Sequence, residues 1–558
     1  IRQISDWRSN NIKPCLHSYS FYSKIIPNRT DFSMFMNRFF GFCTLGLILA
    51  GCGGDYTNRD WAADYGTGVA GAPSQMQYGG FSDNATDNHR VAVLLPLSGE
   101  NAATGRAIRT SIEIATLQSA PQSMSVAFYD TARDGAISDA LAEQPEIVIG
   151  PVFAGDARIV RATKPMETPV LSFTSDATAL GDGVMTMNLM PTNSVEAIAT
   201  EMSADGIKKF IILAPDTASG RLMAGTAKNA ASIYNMDLVG IFYYTSSNSD
   251  SIKDAAAAAS MNAARTAANT RAREILSDIL TRERLTAIEK SSLEIQLEKI
   301  SKSDTLGTIP YDGILFLGGA ADTTSIASFL RYYGVAARDA RMYGTAMWDA
   351  SNITSDITMS GAKFAALPEM SASFTDVYSR VADSAPSHLA AFGYDAANMA
   401  MGMMYSQKSN AAYLLDPSGY VGTDGLFRLL PNGDSQRALR IMQLNGTGDA
   451  TVVRNAPQNF IRPIYNIEQR HIAPANAMKL ESDGINPMDY IRIPERLRGT
   501  YKSKTFGANI THPAAPVQQE NITVLPEDDS DPIAATDYEP VKLDSVARTY
   551  IDSVEISE

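Results

Sequence analysis

Short apolar runs alternate with stretches of helical spacing between residues 90 and 350 of the chain. The runs are continuous, as in strands buried on both faces, and helical segments such as 102–117 and 136–142 separate them. The predicted strands are 91–95, 125–129, 146–149, 169–173, 210–214, 238–244, 313–317 and 342–346. Apolar strands joined by helices are typical of parallel sheets covered by helices. The pattern predicts an α/β protein of two lobes, each built on one such sheet.

An unusual segment, 251–306, interrupts the strands of the second lobe and contains neither Gly nor Pro. It begins with the alanine run 255–259, and Asp278 and Arg282 stand four residues apart, the spacing of a stabilising ion pair on a helix. The segment therefore predicts one long helix or a helical hairpin. Its apolar side chains either face a partner or pack on their own lobe; they are Ile275, Leu276, Ile279, Leu285, Ile288, Ile295 and Ile300.

The last third of the chain predicts a helix at 388–405 and strands at 426–430 and 439–444. The pattern weakens after Pro457, so residues 458–558 are interpreted as a C-terminal extension. From Asn521 onward this extension holds ten acidic and two basic residues, a composition typical of a solvated, disordered tail.

The amino terminus predicts an exported lipoprotein. Residues 1–35 show no targeting pattern, and we interpret them as a segment upstream of the native start. Residues 36–51 have the short cationic start and the apolar run of a secretory signal, and that run is too short to cross a bilayer. The following Leu-Ala-Gly-Cys resembles the lipobox of bacterial lipoproteins, which implies that Cys52 carries the lipid anchor. Residues 52–89, rich in Gly, Ala, Asn, Asp and Ser, predict a flexible tether.

Charge and cysteine usage exclude several kinds of function. The net charge is −14, and it becomes −18 once the residues before Cys52 are removed, which argues against binding to nucleic acid. Membrane contact is therefore expected through the lipid anchor only. The three cysteines, Cys15, Cys43 and Cys52, all lie near the amino terminus, so the rest of the chain forms neither a disulfide nor a thiolate metal site.

Catalytic and cofactor motifs are absent from the sequence. It contains no Gly-x-Ser-x-Gly elbow, no phosphate-binding Gly-x4-Gly-Lys-Ser/Thr loop and no zinc-binding His-Glu-x-x-His helix. Ser98 follows a predicted strand, where a nucleophile could lie, but no histidine is near it in the sequence. The sequence predicts no enzyme, no cofactor and no metal site.

Polar residues cluster where the predicted strands end. Open α/β sheets bind ligands at the carboxyl ends of their strands, through loop hydroxyls and backbone N–H groups. These residues predict a cleft for a small polar ligand between the lobes; alternatively, each is an ordinary turn or cap residue. The candidate ligand-binding residues are Ser98, Gly99, Ser172, Thr174, Ser175, Asp176, Ser219, Trp348 and Asp349.

Several short motifs, taken in order, resemble a known superfamily. They are Val-Ala-Val-Leu-Leu-Pro-Leu-Ser-Gly at 91–99, Ile-Val-Ile-Gly-Pro at 147–151, Pro-Val-Leu-Ser-Phe-Thr-Ser at 169–175 and Gly-Tyr-Asp-Ala-Ala at 393–397. This set resembles the leucine/isoleucine/valine-type (type I) periplasmic binding proteins. Within that superfamily, Ala-Pro-Asp-Thr at 214–217, Tyr-Tyr-Gly-Val at 332–335, Gly-Thr-Ala-Met-Trp-Asp at 344–349 and Gly-Thr-Asp-Gly-Leu-Phe-Arg at 422–428 resemble the penicillin-binding protein activators.

The resemblance covers residues 90–457 and implies two lobes joined by three crossovers. Lobe one would comprise 90–205 and 370–457, and lobe two 206–369 with the insertion 251–306. Amino-acid-binding members hold their ligand near the equivalents of 172–176 and 218–220. This sequence has Ser219 where an aromatic residue is expected and Asp176 where a threonine is usual, which speaks against leucine-like ligands.

Two main functions follow as expectations from the resemblance. The first is a non-enzymatic, lipid-anchored regulator of cell-wall synthesis that contacts a peptidoglycan synthase and faces the periplasm, with the outer membrane favoured over the inner. The alternative is a receptor that delivers an amino acid or similar solute to an ABC permease. A third, a hydrolase on the same sheet, has only Ser98 in its support.

Overall fold

The structure is a computed structural model that describes residues 73–76, 89–120, 124–349, 353, 356–406, 408–460 and 485–504. All of them belong to one compact unit, Tyr56–Glu558. The expected upstream segment, signal peptide, lipidated Cys52 and acidic tail after Asn521 lie outside the described residues.

The strands and helices have the following bounds. The strands are β1 Ser74–Gln75, β2 His89–Leu95, β3 Met124–Asp130, β4 Ile147–Ile149, β5 Val170–Ser172, β6 Val184–Thr186, β7 Lys209–Pro215, β8 Asp237–Tyr244, β9 Gly313–Phe316, β10 Arg341–Gly344, β11 Lys363–Ala366, β12 Tyr420–Gly422, β13 Gly425–Leu429, β14 Ser435–Arg437, β15 Arg440–Leu444 and β16 Ala450–Arg454. The helices are α1 Ala102–Ser119, α2 Ala136–Ala142, α3 Ala154–Thr163, α4 Pro191–Ala204, α5 Ala218–Ile233, α6 Ser249–Ala259, α7 Asn262–Arg282, α8 Ala287–Ser301, α9 Ala320–Tyr332, α10 Ala372–Ala382, α11 His388–Met404, α12 Asn410–Leu414 and α13 Glu495–Lys504.

Lobe one is built on a five-stranded parallel sheet of order β3-β2-β4-β5-β6. Its central strands are apolar and buried on both faces, and α1 and α11 pack against each other on one side of it. The four strands predicted for this lobe are therefore confirmed. Of this sheet only β6, Val184–Thr186, was not predicted.

Lobe two is built on a seven-stranded sheet of order β16-β15-β11-β10-β9-β7-β8. The five strands from β11 to β8 are parallel, while β15 pairs antiparallel with β11 and β16 pairs antiparallel with β15. Helices α6 and α9 pack on one face and α4 and α5 on the other. The predicted fold class, two α/β lobes each with a parallel sheet between helices, is confirmed.

The chain crosses between the lobes three times, as the resemblance implied. The first crossover, 187–190, joins β6 to α4; the second, 367–371, joins β11 to α10; the third, 438–439, joins β14 to β15. The crossovers correct the expected lobe boundaries.

Helix α4 and strands β15 and β16 belong to lobe two, although their residues were expected in lobe one. Buried ion pairs hold α4 there, because Lys363 of β11 contacts the Glu201 carboxylate at 2.7 Å and the Asp205 carboxylate at 2.8 Å. Arg454 of β16 reaches Glu201 from the other side at 2.5 Å.

A small sheet of order β1-β12-β13-β14 completes lobe one next to α11. Strand β1 lies within the segment expected to be a flexible tether, and Met76 beside it is 6% exposed. The tether interpretation is therefore wrong for residues 73–76, which pair with β12.

The insertion forms three helices, α6, α7 and α8, of which α7 and α8 pack as a hairpin. The hairpin alternative is thus confirmed, with α6 as an additional helix on lobe two. A buried cluster under α7 and α8 is covered by residues 485–501 of the same chain; its members include Leu276, Ile279, Leu293, Met488, Ile491, Leu497 and Tyr501. Ile288 and Ile295 stay exposed. The C-terminal extension therefore contributes a folded segment that the sequence pattern did not predict.

Candidate functional site

Ser98 and Gly99 lie in the exposed loop after β2, at the carboxyl edge of the lobe-one sheet. Asp130 organises this loop by accepting hydrogen bonds from the N–H groups of Leu97 at 2.8 Å and Ser98 at 3.2 Å. Burial raises the pKa of Asp130, but these bonds and one from the Ser98 side chain outweigh it and hold that pKa below its ordinary value. Ser98 therefore helps to fix the loop through its bonds to Asp130. Gly99 provides the positive φ of 75° that the turn requires.

The second group, residues 172–176, follows β5 at the same edge of the sheet. The Ser172 hydroxyl donates to the carbonyl of Pro151 at 2.8 Å, and the Thr174 hydroxyl accepts from the N–H of Asp176 at 3.1 Å. Both side chains are buried, with exposures of 0% and 4%.

Asp176 caps the turn that follows, accepting from the Thr178 N–H at 2.9 Å, and pairs with Arg158 at 2.6 Å. Ser175 is half-buried beside it. The hydrogen-bonding capacity of this group is largely engaged within the chain, which agrees with the alternative that these are turn and cap residues.

The lobe-two candidates Ser219 and Trp348 differ from each other. Ser219 is half-buried in the first turn of α5, where Thr217 is the capping residue and accepts from the N–H of Gly220 at 3.1 Å. Trp348 is fully buried between Phe316 and Phe364, with ring centroids about 6 Å away. Trp348 is therefore a core side chain, which disfavours a role in a ligand site, and its assignment to such a site stays a prediction.

Asp349 is exposed as a residue, although neighbouring atoms surround its carboxylate. This desolvation raises the pKa of Asp349, while the opposing charges of Arg440 and His388 lower it; the net shift is upward. His388 begins α11 in lobe one, whereas Asp349 follows β10 in lobe two.

A buried charge network that the sequence interpretation missed lies beside the crossovers. Asp424 accepts a hydrogen bond from Arg437 at 2.9 Å and lies 3.2 Å from the His388 imidazole. The Arg437 guanidinium stacks on the rings of Phe392 and Phe427, 3.9 and 4.9 Å from their centroids. We call Asp395, Asp424, Arg437 and His388 the hinge network.

Asp395 is the unusual member of the hinge network, because it is fully buried and close to a second carboxylate. Burial and the charge of Asp424 raise the pKa of Asp395 to about 7, against the opposing effects of Arg437 and of the hydrogen bonds from Thr423. One buried arginine, Arg437, thus offsets the charge of two buried carboxylates. Of the two, Asp395 favours the protonated form.

The hinge network holds two crossovers together. Arg437, which precedes the third crossover, donates to the carbonyl of Met187 in the first. Ser435 donates to the carbonyl of Asn188 at 2.5 Å, and Asn188 in turn donates to Phe173 at 2.8 Å. The available sequence signal was Asp395 within the largely apolar stretch 389–397, whereas Asp424, between Thr423 and Gly425, looks like a turn residue.

The part of the chain that the structure describes contains neither a membrane-spanning helix nor a metal-binding cluster. No helix there combines the length and apolar character needed to span a bilayer. In the same residues, no group of three His, Cys, Asp or Glu side chains converges so as to hold a metal ion.

Comparison with known sequences gives one family match, which includes the whole lobe-one sheet and continues to α6. Residues 79–249 match the LppC family of putative lipoproteins. The LppC match covers less than a third of the 558 residues and confirms the resemblance in that region. No curated protein matches the chain.

Solved structures with similarity to the chain include binding proteins of ABC transporters and LpoA. A putative branched-chain amino acid ABC transporter protein from Rhodospirillum rubrum is 15% identical, covers 65% of this chain and 99% of its own, and gives a TM-score of 0.48. Full-length LpoA from Haemophilus influenzae is 14% identical over 68% of this chain and 60% of its own, with a TM-score of 0.45. The C-domain of the same LpoA, described as a regulator of PBP1A, is 16% identical over 65% of this chain and 99% of its own, with a TM-score of 0.44.

Proposed function

We propose that the protein is a lipid-anchored, non-enzymatic regulator of peptidoglycan synthesis that acts through protein contacts. The observation that carries the proposal is the LppC lipoprotein match at 79–249, which begins 27 residues after the Leu-Ala-Gly-Cys tetrapeptide. The motifs at 214–217, 332–335, 344–349 and 422–428, which resemble penicillin-binding protein activators, give the direction of that role.

The polar residues at the strand ends are largely engaged within the chain, which favours a function through protein contacts over the binding of a solute. Contacts within the chain engage the polar groups at the end of β5: Ser172 hydrogen-bonds to Pro151, Thr174 to Asp176, and Asp176 pairs with Arg158. Trp348 is a core residue. A solute receptor needs polar groups free to converge on its ligand.

A hydrolase centred on Ser98 gains no support from the histidines among the described residues, because both pair with carboxylates. The two described histidines are His89, which pairs with Glu146 at 3.0 Å, and His388, which lies 3.2 Å from Asp424. Ser98 contacts Asp130 instead, which positions the loop. General-base activation of a serine requires a base within hydrogen-bond reach.

The proposed location is the periplasmic face of the cell envelope, with the outer membrane favoured. The proposed partner is a peptidoglycan synthase of the penicillin-binding class. Acyl chains on Cys52 would anchor the body to a membrane surface, and the folded unit would reach its partner in the periplasm.

Capture of a synthase tests the proposal. The protein, purified in detergent and immobilised, is incubated with solubilised envelope, and bound penicillin-binding proteins are detected with a fluorescent penicillin. We expect one labelled synthase to be retained, and to be competed by free protein. If no penicillin-labelled band is retained above the bare matrix, the proposal is wrong.

A thermal-shift screen examines the receptor alternative with the same protein. A solute present at 100 times its dissociation constant would stabilise the folded state by about 2.7 kcal/mol. We expect no such shift with leucine, isoleucine or valine. A clear shift with these ligands, together with no captured synthase, would establish the receptor function instead.

A further inference from the structure

Strand β8 is an edge of the lobe-two sheet, and its pairing with β7 is regular from Gly240 to Tyr244, after one register shift beside Val239. Strand β7 pairs with one side of β8, and no described strand pairs with the other. It is eight residues long, reads Asp-Leu-Val-Gly-Ile-Phe-Tyr-Tyr and contains no Lys or Pro. Natural edge strands are usually blunted by shortness, Lys or Pro, because their unpaired N–H and C=O groups accept strands from other chains. Strand β8 therefore offers a template for an added strand.

A groove of about 530 Å³ lies between β8 and α6, directly beside this edge. This volume falls within the roughly 300–1,000 Å³ of ordinary ligand clefts. Strand β8 contributes Ile241, Phe242 and Tyr243 to the lining, and α6 with its cap contributes Asn248, Asp250 and Asp254. Local hydrogen bonds hold the α6 side in place, since Asn248 accepts from the Ser251 N–H at 3.0 Å and Ser251 accepts from the Thr245 N–H at 2.9 Å.

The groove has a negative wall on α6, whereas Ile241 and Phe242 on its β8 side are buried and offer little apolar surface. Asp250 and Asp254 are exposed, stand one helical turn apart and have no ion-pair partner among the residues the structure describes. The nearby Arg221 is already neutralised by Asp216 at 2.6 Å. In a strand added to the β8 edge, alternate side chains point to the two faces of the sheet, so basic residues on one face would meet the carboxylates of α6 while apolar residues would extend the opposite face.

The charges also decide between a foreign peptide and a second copy of this chain. Two copies pairing through β8 in an antiparallel, two-fold arrangement would place Asp237, Asp250 and Asp254 of one copy near those of the other. Like charges placed together oppose association, whereas a cationic segment is attracted.

We propose that the β8 edge and the β8–α6 groove bind an extended segment of a partner protein in which basic and apolar residues alternate, by addition of a strand to β8. This inference rests on the proposed role in protein contacts and names the surface that would serve it. The segment would gain main-chain hydrogen bonds along β8 and charge-assisted contacts with Asp250 and Asp254.

A peptide-binding measurement on the full-length protein in detergent tests the inference. The probes are fluorescein-labelled peptides of alternating Lys and Val, or of alternating Glu and Val, followed by fluorescence anisotropy. We expect the Lys-Val peptide to bind, to weaken with added salt, and to slow hydrogen exchange of the β8 amides. The Glu-Val peptide should not bind.

Charge-reversed variants identify the surface. The double variant Asp250→Lys/Asp254→Lys should weaken the Lys-Val peptide by roughly tenfold or more. Its matched control, Glu294→Lys/Glu298→Lys on α8, changes net charge equally at another exposed helical turn and should bind like the wild type. Neutralisation by Asp250→Asn/Asp254→Asn should give a smaller loss, which keeps the test valid if the reversed variant folds poorly.

Failure of this inference and failure of the proposed function give different results. Absence of Lys-Val binding, equal affinity in the double variant and its control, or unchanged β8 exchange would overturn the inference, even with a synthase captured. Peptide binding with the expected variant pattern but no captured synthase would leave the inference in place and remove the proposed function.

Discussion

Individual residues near the crossovers show why a polar or aromatic residue at a strand end need not be a ligand contact. Gly344 is as important as Trp348 here, because a Cβ on Gly344 would lie 2.3 Å from the indole ring. The glycine and the tryptophan thus form one packing unit under the end of β10. In the sequence, this pair looks the same as an aromatic residue placed to stack on a ligand.

Replacement of Trp348 by alanine should therefore lower stability. We expect Trp348→Ala to reduce the free energy of unfolding by about 3–5 kcal/mol, because it leaves a cavity between Phe316 and Phe364. Urea unfolding measures the loss, and Asp349→Ala, at an exposed neighbour, should cost far less. Near-wild-type stability of Trp348→Ala would show that the tryptophan is not a core residue.

Asp395 should give the protein a distinctive pH dependence. Its pKa in the folded state is about 7, above the ordinary value near 3.9, so between about pH 4 and pH 7 the folded state binds more protons than the unfolded state. This contribution to stability is present at low pH and is lost as pH rises through about 7. Asp395→Asn removes it, so the variant should gain stability relative to the wild type as pH rises.

Unfolding by urea at pH 5 and pH 8 measures this difference. The exposed Asp134→Asn serves as the control and should follow the wild type at both pH values. If the difference between Asp395→Asn and the wild type does not change with pH, the buried carboxyl does not favour the protonated form.

At the level of elements, long helices and buried strands were predictable from the sequence. Short elements, and elements that pack over a distant part of the chain, were not. The absence of Gly and Pro from 251–306 predicted its helices. The chain bends between α6 and α7 at Met261, whose φ is 52°, and neither Gly nor Pro marks this bend in the sequence. Helix α13 escaped because its sequence, ERLRGTYKSK, is mostly polar. Its few apolar residues are buried only because the distant α7–α8 hairpin lies beneath them.

The covering role of residues 485–504 can be tested by truncation. Removal of 485–558 should expose Leu276, Ile279 and Leu293, which Met488, Ile491 and Leu497 now help to cover. Gln296 also loses two hydrogen bonds to the backbone of Arg492, at 2.7 and 2.9 Å. We expect increased binding of the dye ANS and reduced solubility. Removal of 505–558 alone is the control and should leave both unchanged; equal behaviour of the two truncations would contradict the covering role.

At the scale of the whole molecule, the alternation of strands and helices was enough to predict two lobes, but not their boundaries. Strands β15 and β16 follow the third crossover, and the pairing of β15 with β11 and of β16 with β15 assigns them to lobe two. The candidate site was less predictable. Burial and hydrogen bonding decide whether Ser172 or Asp176 is free, and both depend on residues distant in sequence, such as Pro151 and Arg158.

In the proposed function, membrane attachment of the whole protein depends on the lipid carried by the Cys52 sulfur. Substitution of Cys52→Ser removes the sulfur that would carry the lipid, so the protein should move from the membrane to the soluble fraction. Fractionation of cells that express either form measures this. The exposed substitution Ser98→Ala is the control and should stay in the membrane fraction; continued membrane association of Cys52→Ser would contradict the anchor.

The central claim is that this protein changes the activity of a peptidoglycan synthase by contact. The most direct measurement is the rate of glycan polymerisation and cross-linking by the captured synthase, followed with and without increasing amounts of this protein. The account predicts a rate that changes with protein concentration and reaches a plateau, as a binding equilibrium requires. A rate that stays the same at every concentration, with the synthase shown to be bound, would contradict it.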